Sequence, residues 1–205
     1  MTFPARPSIV MARSALRSAI PRRPSRRQAQ LGDLGVTQIA ISDAGNVALA
    51  LSQINALADE GISFVNPALL RLEGTAAAIA ALGANDLADL ASLDVTTIDI
   101  ANNIASFSLS RLQTLKAGGI TFATNDAVTL TGTEKSLVAL KARDLAAFDA
   151  MGVDKIDITD GPVYVPASFL ARLAAAGLTL ADPRDAQTPT AGNNLINGTT
   201  RADTI

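Results

Sequence analysis

Asp154, Asp157 and Asp160 form the tightest set of acids in the sequence, so they are the first residues to test for chemistry. Carboxylates at such spacing suit two tasks, holding a hard cation and general acid–base work on a glycosidic bond. Asp157 lies between Ile156 and Ile158, so on a strand it faces away from the core, as Asp99 does between Ile98 and Ile100. Stacked copies would bring Asp99 and Asp157 within one or two strand spacings as a cation ladder, although Ala40 fills the same slot between Ile39 and Ile41 and breaks it. Glycoside hydrolysis also needs a cleft with aromatic platforms for sugars. Aromatics are only 3% of this chain, namely six Phe, Tyr164 and no Trp, which argues against that chemistry.

The sequence has no His and no Cys. That excludes zinc sites of the usual ligand type, haem or iron–sulfur ligation by those residues, Ser-His-Asp and Cys-His nucleophiles, and disulfides. Lys116-Ala117-Gly118-Gly119 closes a helix rather than opening one, so it is not a phosphate loop, and no Walker or dinucleotide spacing occurs. Asn197-Gly198-Thr199 has the form of a glycosylation acceptor, with nothing else to support that route. The residue inventory therefore reads as non-enzymatic, with no catalytic and no cofactor-binding residue assigned.

The elements that would position these acids come from an internal repeat. Val36, Val95 and Val153 open three similar segments, Gly35 to Phe64, Asp94 to Phe122 and Gly152 to Leu180. Ile62, Ile120 and Leu178 recur with a constant period of 58, and the first copy carries one extra residue between Val36 and Ile62. The linking halves repeat too: Leu72, Gly74, Leu82, Asp86 and Leu87 recur as Leu130, Gly132, Leu140, Asp144 and Leu145. Paired apolar residues two apart, such as Ile98 with Ile100 and Ile120 with Phe122, mark short one-faced strands. The pattern predicts strands at roughly residues 36 to 41, 62 to 65, 95 to 100, 120 to 124, 153 to 158 and 178 to 180.

Leu109, Leu112 and Leu115 then predict a helix of about ten residues, with Ser110 and Gln113 spaced as a capping box and Gly118-Gly119 as its stop. The Ala-rich link from Thr75 to Leu93 is read as helical, in one or two pieces broken near Gly83-Ala84-Asn85. Strands joined by such crossovers pair in parallel. The expected class is α/β, an array of strand-helix-strand-helix units forming an α/β solenoid, with a compact open parallel sheet flanked by helices as the alternative. The period is about double that of a leucine-rich repeat, and the Asn ladder of that family is missing. An uncapped array leaves strand edges at its ends, so self-association, or docking to the rest of a longer protein, is expected.

The net charge of −2 hides a division. Residues 1–31 carry seven Arg and no acid, or +7, while the remaining ten Lys and Arg against nineteen acids make the rest −9. Pro4, Pro7, Pro21 and Pro24 punctuate this arm, which reads as a disordered leader with no specific nucleic-acid role. Its apolar stretch, Ile9 to Ala12, is too short for a secretory signal, and no run approaches a membrane span. The domain plan is thus a basic arm over 1–31, two and a half 58-residue repeats over 32–181, and a polar tail over 182–205.

That tail reads Thr190-Ala191-Gly192-Asn193-Asn194-Leu195-Ile196-Asn197-Gly198-Thr199-Thr200-Arg201-Ala202-Asp203-Thr204-Ile205. It resembles the opening of a hemolysin-type, or repeats-in-toxin (RTX), calcium-binding array, whose nonapeptide is Gly-Gly-x-Gly-x-Asp-x-U-x with U a large apolar residue. Gly198 and Asp203-Thr204-Ile205 fit, whereas Arg201 stands where the pattern has Gly. The Ala-rich repeats with Val-Thr-x-Ile-Asp-Ile segments are similar to regions upstream of such arrays in large bacterial RTX proteins. The resemblance implies a secreted, non-enzymatic structural or adhesive segment, exported by a type I system without a cleaved leader and truncated where its calcium array starts. Calcium would bind through a downstream array, and Asp203 would be at most an incomplete half-site, so no tight binding is expected of this chain. The competing expectation is an intracellular repeat scaffold with a protein partner.

Overall fold

A computed structural model describes residues 9–11, 31–32, 34–42, 45–67, 70–183 and 186–187. The chain divides into two compact units, one built from residues 1–104 and 114–126 and the other from 105–113 and 127–205. The order of elements is β1 (Ile9–Met11), β2 (Gln38–Ile41), β3 (Val47–Leu49), α1 (Leu51–Asp59), β4 (Ser63–Phe64), β5 (Leu70–Gly74), α2 (Ala76–Ala80), α3 (Ala84–Ser92), β6 (Thr97–Ile100) and β7 (Ile104–Ser108). There follow α4 (Leu109–Ala117), β8 (Thr121–Phe122), β9 (Ala127–Gly132), α5 (Glu134–Val138), α6 (Ala142–Met151), β10 (Val153–Ile158), β11 (Val163–Tyr164), α7 (Ala167–Ala175), β12 (Thr179–Leu180) and β13 (Ala186–Gln187).

The fold is mixed α/β, with parallel sheets flanked by helices. The first unit holds a sheet of order β1-β2-β4 and one of order β3-β5-β6-β8; the second holds β12-β10-β9-β7 and the pair β11-β13. Registered pairs are parallel throughout. All six strands expected from the repeat are present; β10 keeps its expected span, and the trimmed ends of the others lose one or two residues. The two four-stranded sheets are copies of each other: Val47, Leu72, Ile98 and Phe122 are matched one period later by Ala105, Leu130, Ile156 and Leu180.

The copies also resolve the period into two unequal turns. The short turn, from Thr97 to Thr121, contains one helix, α4; the long turn, from Thr121 to Lys155, contains the two short helices α5 and α6. Every turn carries a second strand that apolar patterning did not reveal, namely β3, β5, β7, β9 and β11. The apolar pattern assigns their positions no element. Ile98 and Ile100 on β6, like Val128 and Leu130 on β9, are fully buried, while Thr97, Asp99 and Thr129 on the other face are half-exposed. On α6, Leu145, Phe148 and Met151 recur every three residues and are all buried, and α6 packs on α7. In the first unit α1 packs on α3, where Asn55 Nδ2 donates to Asp86 Oδ1 at 3.0 Å.

Helix starts explain part of the repeat. Asp86 and Asp144, one period apart, each accept from the backbone N–H three residues earlier, Gly83 at 2.7 Å and Lys141 at 3.2 Å. Gln53 does the same for Ala50 at 2.9 Å. These are half capping boxes, because Ala50 and Gly83 have no side-chain acceptor to return the bond. The box expected at Ser110 and Gln113 is displaced by two residues: Ser108 Oγ accepts from the Arg111 N–H at 3.3 Å.

Left-handed residues recur with the same period. Gly61, Gly119 and Gly177 end the single-helix links at φ 63°, 71° and 80°. Gly35, Asp94 and Gly152 occupy a second slot at 76°, 55° and 95°. A side chain there crowds the following carbonyl, and Asp94 bears that strain where its counterparts have none. Asp94→Gly should therefore raise stability by about 0.5 to 1 kcal/mol, read as a higher urea midpoint. A lower midpoint would show that the Asp94 side chain supplies something the backbone strain does not outweigh.

Candidate functional site

The acids singled out by spacing are not gathered at one place. Asp154 Oδ2 accepts from the Val128 N–H at 2.8 Å, and Asp160 Oδ1 accepts from the Glu134 N–H at 2.7 Å. Each carboxylate thus satisfies a backbone donor 26 residues earlier, at the start of a strand or helix of the preceding turn. Asp157 stays on the polar face, opposite Thr131. Asp99 and Asp157 belong to β6 and β10, in different sheets, so they do not share the ladder that stacking predicted. Among the described residues, no group of three or more Asp and Glu is placed to hold a metal ion. Asp203 lies outside the described residues.

The richest polar grouping lies instead on the first unit. The register puts Ala48, Arg71 and Thr97 in one row and Glu73 beside Asp99 in another. Arg71 Nη1 stands 3.7 Å from Asp99 Oδ2, both about a quarter to a third exposed. With the Asn46 amide oxygen turned toward it, Arg71 also donates to Asn46 through Nε, at 3.2 Å, and through Nη2. Together with Asn103, these side chains line an open depression of about 380 Å³. No aromatic residue lines it, so it offers no stacking platform for a sugar. An exposed ion pair of this length contributes at most about 1 kcal/mol to stability.

None of Asn46, Arg71, Glu73 or Asn103 was singled out from the sequence. The available signal lay in where the copies differ: one period on, their slots hold Ile104, Thr129, Thr131 and Gly161. Ile104, in the slot of Asn46, is 65% exposed. The second unit keeps an acid, Asp157, in the slot of Asp99 and has Lys155 in the slot of Thr97, so the two surfaces differ in where their charges stand.

Beneath this surface Asp126 is buried, and both its oxygens accept from the Ile100 N–H, at 3.3 and 3.1 Å. β8 ends at Phe122, so Ile100 has outrun its neighbouring strand, and the carboxylate takes the place of the missing carbonyl. Burial pushes the Asp126 carboxyl above the usual range. The Asp99 charge adds to this, while the Ile100 bond and Arg71 oppose it.

No protein-family model matches the chain, and no curated protein does so. No helix among the described residues is long and apolar enough to cross a membrane.

Because its folded pKa is raised, Asp126 favours the folded state fully only below the ordinary Asp value of about 3.9, and that contribution fades as pH rises through the raised value. Asp126→Asn keeps an acceptor for Ile100 without this titration. Its stability relative to wild type should therefore increase as pH climbs through that window and level off above it. Asp126→Ala, which orphans the buried Ile100 N–H, should lose about 1 to 3 kcal/mol. Urea denaturation between pH 3 and 8 reads both, and a pH-independent gap between Asp126→Asn and wild type would contradict the assignment.

Proposed function

We propose that the chain is a non-enzymatic structural or adhesive repeat segment, wound as an α/β solenoid, of a secreted protein of the hemolysin-type (RTX) calcium-binding group. The observation that supports it best is the duplicated four-stranded parallel sheet. Its acids are spent on the backbone ends of neighbouring turns, as Asp126, Asp154 and Asp160 are, instead of converging on a cleft. Such a unit offers surface and length, since each turn buries its apolar strand face only against helices and neighbouring turns. The Gly- and Asp-bearing tail motif supplies the family part of the reading and the export route, and calcium would act through further turns of that motif. A partner protein or cell-surface molecule would then meet the polar strand faces, of which the Arg71 depression is the most distinctive.

Two measurements test this reading. An antiserum applied to fractions of cells with a working type I exporter should find the protein outside; retention in the cytoplasm would favour the intracellular scaffold. Calcium titrated into the 205-residue chain should leave its circular dichroism and unfolding temperature unchanged below about a millimolar, since one incomplete turn cannot supply six or more oxygen ligands. A stoichiometric micromolar site would overturn that expectation, and Asp203→Asn and Asp157→Asn would locate it.

A further inference from the structure

The two smaller sheets are complementary halves of the four-stranded one. In each complete sheet a leading pair, β3-β5 or β7-β9, joins a trailing pair, β6-β8 or β10-β12, through the parallel contact β5-β6 or β9-β10. Ile39 on β2 and Phe64 on β4 are the counterparts, one repeat earlier, of Ile98 on β6 and Phe122 on β8, so the first small sheet contains a trailing pair. In the other small sheet, Val163 and Tyr164 on β11 stand one period beyond Ala105 and Ser106 on β7. Ala186 and Gln187 on β13 stand one period beyond Val128 and Thr129 on β9, which makes this sheet a leading pair. One ends on the edge that the other lacks.

The trailing pair has a stand-in on that edge. β1 pairs with β2 on the side opposite β4, the slot that β5 takes beside β6. It is an irregular occupant. Registered partners elsewhere are no further apart along the chain than Leu72 and Ile98, whereas Ile9 and Ile39 are separated by a longer stretch. β1 spans three residues where the slot holds five in β5 and six in β9; β13 spans two, so strand length alone does not favour either occupant. Charge favours its staying there. The arm from which it comes is +7, while the rest of the first unit carries Arg71 and Lys116 against ten acids, a net −8. Attraction between them weakens with salt.

We propose that this chain self-associates head to tail: the β11-β13 half-sheet of one copy completes the β2-β4 half-sheet of the next, and β1 occupies that edge until it is displaced. The inference rests on the repeat reading above, and it names the two edges, each open or irregularly filled among the described residues, through which two copies meet. The occupant is a second copy because the complement of the β13 edge is present in the same sequence, at the register the repeat prescribes. Thr129 pairs with Lys155, and their counterparts are Gln187 and Gln38. An unpaired parallel edge recruits whichever strand satisfies its backbone, and one built from the same repeat fits best.

The chain's lack of cysteine gives a direct test. Full-length Gln38→Cys and Gln187→Cys proteins, each shown by circular dichroism to keep the wild-type fold, are mixed and mildly oxidised. A disulfide-linked pair containing one of each should form, in several-fold excess over pairs from either variant alone. Adding Val10→Pro to the Gln38→Cys chain removes the β1 donor at that position and should raise the yield several-fold, as should salt in the molar range. Sedimentation velocity of the unmodified chain should show concentration-dependent association that Val10→Pro strengthens. The proposal is overturned by a monomer at all concentrations with or without Val10→Pro, by cross-links no more frequent in the mixture than in single variants, or by a fall in yield on adding Val10→Pro. Cytoplasmic retention would overturn the secreted reading and leave the cross-link untouched, so the two failures are distinguishable.

Discussion

A parallel strand cannot satisfy its own backbone, and its partner must come from a full turn away in the chain. In this protein that partner lies one turn on in every registered pair beyond β1. The requirement fixes the spacing of the strands, the length of the links and the placing of several polar side chains. A turn can lengthen, as that from Thr121 to Lys155 does relative to that from Thr97 to Thr121, only if the excess is folded into helix without disturbing the strand register. The pairs α2–α3 and α5–α6 absorb it. Strand ends are where the requirement is hardest to meet. There Asp126 and Asp154 supply the missing acceptor for Ile100 and Val128, Asp160 does the same for Glu134 at the first residue of α5, and Ser63, Thr121 and Thr179 hydroxyls donate back to carbonyls 25 or 26 residues earlier.

Two of the acids that spacing singles out, Asp154 and Asp160, therefore do structural work. The cluster Asp154, Asp157 and Asp160 has the composition of a cation site, but two of its three members are committed to backbone donors on another turn. A carboxylate so engaged has fewer lone pairs to offer an ion, and moving it would orphan a backbone N–H. Spacing along the chain could not reveal this, because the donors belong to the preceding turn and their availability depends on where the neighbouring element ends.

The elements legible in the sequence were those whose periodicity is set by burial on one side. Ile39 with Ile41, Ile98 with Ile100 and Ile156 with Ile158 are β-branched, flank a single outward residue and are buried to 5% exposure or less, so local preference and tertiary environment agree. The strands that escaped detection are weaker by composition. Val47-Ala48-Leu49 and Ile104-Ala105-Ser106-Phe107-Ser108 include Ala and Ser and run almost straight into α1 and α4, whose leucines dominate any window drawn across the boundary. Those strands exist because β5 and β9 stand beside them, a fact about pairing rather than propensity. The Arg71 surface was hidden for a related reason, since a search for agreement between copies passes over the positions where they differ.

Those differences are not distributed at random with respect to burial. Slots that face the interior hold apolar side chains in both sheets: Leu72 and Leu130, Ile98 and Ile156, Phe122 and Leu180. A close-packed interior favours apolar side chains, so these slots stay apolar while tolerating changes of volume such as Val47 to Ala105 or Phe122 to Leu180. The outward slots carry no such constraint. Arg71 and Thr129, Glu73 and Thr131, or Asn46 and Ile104, can exchange charge, hydroxyl and aliphatic character with little effect on the turns beneath. In a repeat whose backbone chemistry is consumed internally, the outward departures from the repeat are the positions free to change in charge and shape. The first unit uses that freedom to join Arg71, Asp99 and Asn46 across three strands' worth of surface, whereas the second sets Thr129 and Thr131 beside Lys155 and Asp157.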